Sequence, residues 1–535
     1  MREINIAKEK INVLYTVDDK EFPSKDYMNA LEKMETLSKE YEELKRVEGK
    51  QDQREEKSQL SKIYAKWHTL FKNNCLAPFP KRKEKKTVFI KWLDMSTLVD
   101  QGDAEDEIHL TVMTPEMLLT DYLFYARNVE WGEYRYDAPD SWGKGMDRLY
   151  KPYYYAFDQY EIESVNDSLL QKLKEKDIFG YKWFQATIWL ENEDAEKSSI
   201  SDRMLRGRLC FSASKYEAEA IIMEVAEKVA DTDLLKALKA IDDFPDKSKF
   251  DTRVTSYISK VMGNIEPGSS VKIYNMGQAN CLYVYLYLQG QERKFFFDVG
   301  RPFDTIKPKN STPYPNPDLD KNTVMSKNLI RIGLCKPDVI FLSHWHTDHV
   351  LGSMSLGRYA YEDSNDCKWI VPWPNNFALE RYRRLIKFLM IKKKIKFIDQ
   401  KNVKNGIVAS KDDVTLYQGQ GKDLNASSLM LRLKNTLLAG DCMYQYWPSD
   451  LLQDIDDIEQ MVIPHHGSEL KPNDEAIINN TVKLSRQTAV ICTGENGYTH
   501  PNQTHINDLK KILKFSSVQN LKNMKNVDWV IMDIS

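Results

Sequence analysis

The chain has 535 residues, too many for one ordinary hydrophobic core, so two or more are expected. With 42% hydrophobic and 29% charged residues and a mean hydropathy of -0.56, the composition argues against a bundle of membrane helices and predicts globular cores under a well-solvated surface. The formal net charge of -3 excludes nothing about partners, because only local charge bears on them.

No long apolar run appears, and the start, MREINIAKEKINVLY, lacks the continuous apolar core of a secretion signal, so a cytoplasmic protein is expected. The seven cysteines are scattered and never spaced as CxxC, which argues against a disulfide framework or a zinc ribbon.

In chain order, residues 1–85 are expected to hold an amphipathic helical hairpin. From Asp26 to Phe71, apolar residues recur at spacings of three and four (Leu31, Met34, Leu37, Tyr41, Leu44, then Leu60, Ile63, Tyr64, Trp67) around the polar GKQDQREEKSQ. Residues 86–262 read as a mixed α/β domain of unknown function, and the N-terminal half as a whole as a possible site for a protein partner or regulator. There TVFIKWLDM looks like a strand, and KYEAEAIIMEVAEKVADTDLLKALKAID like one or two helices. The aromatic stretches YKPYYYAFDQY and GYKWFQATIWL are expected in core or interface.

Turn residues cluster in GNIEPGSS, and a boundary is placed there. Residues 263–535 then alternate short apolar runs (VKIYNM, CLYVYLYL, KFFFDVG, DVIFLS, KWIVPWP, LMLRLK, TLLAGD, QMVIPHH, TAVICTG, DWVIMDIS) with helical or loop patterns. The expected fold is α/β, sheets covered by helices.

Seven of the nine histidines fall in this domain: His344, His346, His349, His465, His466, His500 and His505. Three of them, with Asp348, are packed into HWHTDH just after an apolar strand. In an extended segment His344 and His346 share a face and can share a metal, while Asp348 and His349, a turn further on, can serve a second. Imidazole with carboxylate suits zinc, with manganese or iron as alternatives.

HWHTDH resembles the HxHxDH signature of the metallo-β-lactamase superfamily, whose fold is an αββα sandwich with a dinuclear metal site at one edge. KFFFDVG, with Asp298 and Gly300, is similar to that fold's early strand and aspartate turn, and LLAGD puts Asp441 at the position of its metal-bridging aspartate. VKIYNMGQAN, NASSLMLRL, VIPHHGS and GENGYTHPN resemble, in order, motifs of the soluble metallo-β-lactamase domain of ComEC-type competence proteins. The resemblance covers about Ser269 to Ser535. The N-terminal half resembles neither the membrane channel nor the oligonucleotide-binding fold of those proteins, so DNA transport is not carried over. No histidine lies between His349 and His465, where many members have one.

The resemblance implies two divalent ions, zinc or manganese. His344, His346 and Asp441 would hold one, with Asn425, Ser427 or water completing the shell. Asp348, His349, Asp441 and His465 would hold the other. Of the adjacent pair, His465 is favoured as the ligand because it directly follows the strand. His466 and His500 are left to protonate a leaving group or bind a phosphate oxygen, and Asp348 or Asp441 to orient the nucleophile. His505 is expected at a helix start.

RYRRLIKFLMIKKKIKF, from Arg381 to Phe397, carries eight basic residues and no acid, and a basic rim near a dinuclear site suits a polyanion held by its phosphates. The proline-rich insert from Arg301 to Asn322 is a candidate wall of the cleft or an ordinary surface loop. The expected function is a metal-dependent phosphodiesterase, a nuclease acting on DNA or RNA. A hydrolase of a small ester, lactam or cyclic nucleotide is the second reading, and a scaffold protein with a degenerate metal site the third.

Overall fold

The computed structural model describes residues 85–93, 108–113, 160–164, 184–190, 204–211 and 214–228, and from 254 to 534 all but 302–323, 357–359, 362–366, 375, 392, 399–402, 481–485, 495–499 and 525, with a few isolated helical residues before 67. The expected helical hairpin and the proline-rich insert lie almost wholly outside the described residues. Contacts divide the chain into two compact units, one of Met1–Pro245 with Leu379–Ile391, the other of Asp246–Ala378 with Lys392–Ser535.

In the first unit six strands close into a barrel: β1 (Lys86–Leu93), β2 (Ile108–Met113), β3 (Tyr160–Ser164), β4 (Phe184–Leu190), β5 (Met204–Phe211) and β6 (Ser214–Lys228), in the order β1-β2-β3-β5-β6-β4. Every described pairing in it is antiparallel. The helix expected at KYEAEAIIMEVAEK is therefore a strand. That segment carries alanines and glutamates suited to a helix, but β6 pairs with β4 on one side and β5 on the other, and two ladders of backbone hydrogen bonds override a weak local preference.

The second unit is mixed α/β and contains two seven-stranded sheets. The first has the order β12-β11-β10-β9-β8-β7-β20 and the second β13-β14-β15-β16-β17-β18-β19. The strands of the first are β7 (Ser269–Tyr274), β8 (Cys281–Leu288), β9 (Gln291–Val299), β10 (Val339–Phe341), β11 (Lys368–Pro372), β12 (Ile395–Ile398) and β20 (Trp529–Ile534). Those of the second are β13 (Ile407–Lys411), β14 (Val414–Gln418), β15 (Leu429–Leu433), β16 (Thr436–Leu438), β17 (Gln460–Val462), β18 (Arg486–Ile491) and β19 (Phe515–Asn520).

Each sheet is antiparallel at one end and parallel at the other. β9 to β12 run parallel, as do β16 to β19. One core joins the two sheets, with Ile273, Val284, Phe297 and Phe341 from the first meeting Leu416, Leu431, Leu438 and Val462 from the second. The period-two pattern of β8 shows why: Leu282, Val284, Leu286 and Leu288 face this core, while Tyr285 and Tyr287 on the opposite face are partly exposed.

Helices cover the other side of the second sheet. Leu451 of α4 (Ser449–Gln453), Ile478 of α5 (Pro472–Asn480) and Leu509 of α6 (Gln503–Lys511) pack with Leu437, Met461 and Ile491. Earlier in the chain are α1 (Val324–Gly333), α2 (Thr347–Val350) and α3 (Asn376–Ile391). The helical turn at Thr255–Ile258 buries Ile258 in the core between the sheets, with Val261 and Met262 following it. By contacts the second unit takes in residues from Asp246, and these apolar side chains join its core. Among the described residues no helix is long and apolar enough to cross a membrane.

Candidate metal centre

Parallel strands put their C-terminal ends on one edge, and loops leaving that edge converge. Asp298 lies near the end of β9, Ser343 to His349 follow β10, Asp441 follows β16 and His465 and His466 follow β17. Backbone bonds tie these loops together, with Leu429 N–H donating to Ser343 O at 2.9 Å and His465 N–H to Gly440 O at 3.2 Å. Gly300 permits the closest approach. A Cβ there would lie 1.6 Å from the carbonyl oxygen of Asp348, so only glycine lets the first turn of α2 rest on the end of β9.

Two groups of side chains result. Asp348, His349, Asp441 and His466 form one, and His344, His346 and Asp441 the other, each with one ligand atom per residue and all such atoms within 4.8 Å of one another. His344 and His346 do share a face, their rings 4.5 Å apart. Asp441, shared by both groups, is 2% exposed, and its two oxygens face different histidines. Oδ1 lies 3.1 Å from His349 Nε2 and 3.8 Å from His466 Nε2, while Oδ2 lies 3.7 Å from His344 Nε2.

His466, not His465, joins the group with Asp348 and Asp441. Along an extended strand the two rings would point to opposite faces, but His465 (φ 47°) and His466 (φ 53°) both adopt the left-handed conformation, and the tight turn brings both rings to the same edge. His466 Nδ1–H donates to Cys492 O at 2.6 Å, leaving Nε2, 2.9 Å from Asp348 Oδ2, to serve as a ligand. His465 instead faces Asn425, whose Nδ2 lies 3.4 Å from its Nε2. His500 stands beside it, rings 5.4 Å apart.

Asp298 is the clearest contributor that motif reading left without a task. Fully buried, it accepts from Ser343 N–H at 2.7 Å, from Ser343 Oγ–H at 2.8 Å and from His349 Nδ1–H at 2.7 Å. That last bond fixes the His349 tautomer and turns Nε2 toward Asp441, the carboxylate–histidine arrangement that surrounds metal ligands. Its only sequence signal was an aspartate closing an apolar strand before glycine. His505 lies in the first turn of α6, the helix start expected of it. Asn502 caps α6, and His505 inside it donates from Nδ1 to Ser468 O at 2.8 Å and lies 3.1 Å from the Tyr444 hydroxyl.

The carboxylates and histidines of the two groups shift one another's protonation. Burial would raise the Asp441 carboxyl, but His349, His466 and His344 hold it well below the usual range. Asp348 is likewise held at about 2, burial being outweighed by His349 and His466. Against the same burial, Asp441, Asp298 and Asp348 hold His349 well above its ordinary value, and Asp441 and Asp348 raise His466. Burial first, then the neighbouring histidines, keep His344 well below its usual range, and burial brings His346 to about 4. His344 Nε2 and Asp441 Oδ1 are buried with no hydrogen-bond partner among the described residues. Such atoms are costly unless a ligand takes them. Aimed nitrogens, two ionised carboxylates and an orienting Asp298 fit a pair of divalent ions.

Of the eight basic residues in the stretch from Arg381 to Phe397, Arg383, Lys387 and Lys394 are buried, at 5%, 2% and 1% exposure, and Lys393 is exposed. No family model matches the chain, and no curated protein matches it.

Proposed function

We propose that the second unit is a metallo-β-lactamase-type αββα hydrolase, similar to the soluble domain of ComEC-type proteins, and that it hydrolyses phosphodiesters as a nuclease. The observation that carries this reading is Asp441, whose two oxygens face histidines of two different ligand groups. A shared carboxylate between two clusters is the arrangement that holds a pair of ions close together. Two facing sheets, with the site at the C-terminal ends of their parallel strands, support the fold assignment.

His344, His346 and Asp441 would hold one ion, and Asp348, His349, Asp441 and His466 the other. When bound, such a pair lowers the pKa of a water to about 7 and offsets charge developing on a phosphoryl group. Asp348 carries an ionised carboxylate at the site, suited to orienting the attacking water. Asp298 and the Cys492 carbonyl hold the His349 and His466 rings in their ligand orientation. His500, kept near a pKa of about 4 by burial and by His465 and His466, is neutral at pH 7 and able to hydrogen-bond substrate.

Metal analysis of the purified protein, alongside digestion of single-stranded DNA, duplex DNA and RNA with manganese or zinc, tests the proposal. The expected result is two ions per chain and cleavage of at least one polymer that stops in Asp441→Ala. Turnover of a small chromogenic phosphodiester with every polymer left intact would replace the nuclease by a small-ester hydrolase. Absence of bound metal would leave the scaffold reading.

A further inference from the structure

The turn after β17 is strained. His465, His466 and Gly467 have φ of 47°, 53° and 74°, a left-handed run that is costly for any residue but glycine and persists only where its surroundings hold it. Helix α6 holds two carbonyls at its end. Asn502 N–H donates to Gly467 O at 2.8 Å, and the His505 side chain donates from Nδ1 to Ser468 O at 2.8 Å. The Ser468 N–H in turn closes back on His465 O at 2.9 Å.

A second contact fixes His505 itself. Its Nε2 lies 3.1 Å from the hydroxyl of Tyr444, and both residues are fully buried, at 0% exposure. Because Nδ1 gives its proton to a carbonyl, and burial keeps the ring near a pKa of about 4, Nε2 is bare and accepts from the Tyr444 hydroxyl. An apolar side chain would fill the same space without burying polar atoms. What the imidazole adds is one donor on the Ser468 carbonyl and one acceptor that stops the ring from rotating away from it.

We propose that His505, fixed by Tyr444, is a positioning residue: by holding the Ser468 carbonyl it keeps the turn in the conformation that places His466 Nε2 beside Asp348. This deepens the metallohydrolase reading, on which the role of His466 as a ligand rests. The consequence is selective. The group of His344, His346 and Asp441 has no member on this turn, so losing the His505 contact should weaken one ion and spare the other.

The test is competition of the full-length protein for zinc against a chromogenic chelator, which gives a dissociation constant for each ion. In His505→Leu one ion should bind roughly 10-fold more weakly, the lower end of the loss when a partner behind a ligand is removed, with the other unchanged. His505→Asn, whose amide nitrogen can stand in for Nδ1, should restore most of that affinity. Tyr444→Phe should cause a smaller loss at the same ion, and no further loss when added to His505→Leu, because the hydroxyl acts through the imidazole. Unchanged affinity at both ions in His505→Leu, equal weakening of both, or His505→Asn as weak as His505→Leu would overturn the proposal. Should His505→Leu fail to fold, Tyr444→Phe decides: a loss at one ion supports the positioning role, and no loss or equal losses at both overturn it. If the wild type binds no zinc, the metallohydrolase reading fails. The positioning role is then judged separately, by nuclear magnetic resonance of the histidine ring nitrogens in metal-free protein: His466 signals that move in His505→Leu and return in His505→Asn uphold it, and signals that stay in place overturn it.

Discussion

Asp298 belongs to neither ligand group, yet it orients a residue that does. Its Oδ2 takes the Nδ1 proton of His349 at 2.7 Å, so Asp298→Ala should leave all the ligand side chains present and still weaken zinc binding by about 10- to 100-fold, measured by competition with a chromogenic chelator. Asp348→Ala and His349→Ala should lose metal outright from one position. The raised pKa values of His349 and His466 carry a sign. In metal-free protein these rings hold their protons more tightly than a free imidazole does, and an ion must displace them, so metal affinity should rise with pH and zinc uptake should release a measurable number of protons. Calorimetry in buffers of different ionisation enthalpy reads that number. Without metal, the same rings contribute stability that is complete below about pH 6.5 and is lost as pH rises through their folded values, while Asp348, depressed to about 2, contributes stability that disappears as pH falls toward that value.

At the scale of elements, close approach and burial decide. Gly300→Ala would drive a methyl group into the Asp348 carbonyl, 1.6 Å away, a backbone atom that cannot rotate aside. A destabilisation on the order of 3 kcal/mol is expected, with metal lost as well, and chemical denaturation with metal analysis checks both. Along α3, Arg383 and Lys387 are one turn apart and both buried. Replacing both with Gln should lower stability by roughly 1–3 kcal/mol rather than flatten the salt dependence of polynucleotide binding; equal losses in small-substrate and polymer turnover at every salt concentration would agree. The apolar runs of the second unit were legible as strands because each is short, β-branched or aromatic and bounded by turn residues. β6 reads as helix because its alanines and glutamates favour one locally, while the ladders to β4 and β5 that make it a strand are not visible in the run itself.

Over the whole molecule the two units, a closed barrel and a pair of sheets sharing one core, predict two separable unfolding transitions. Zinc should raise the temperature of only one, by mass action on the folded ligand groups, and differential scanning calorimetry with and without a chelator resolves this. A single transition shifted as a block would mean that the units unfold together. The sequence by itself determined which residue types could meet a metal ion. HWHTDH, Asp441 and the histidine pair stand out because metal ligands are few in kind and their local spacing is set by the geometry of one loop or one strand end. What it left open was decided by the tertiary structure: that His466 rather than His465 faces Asp348, that Asp298 orients His349, and that Asn425 stands beside His465. Those pairings join residues 40 to 118 positions apart. No local period encodes such contacts, which arise only when parallel strands from two sheets end at one edge and a left-handed turn redirects two neighbouring rings.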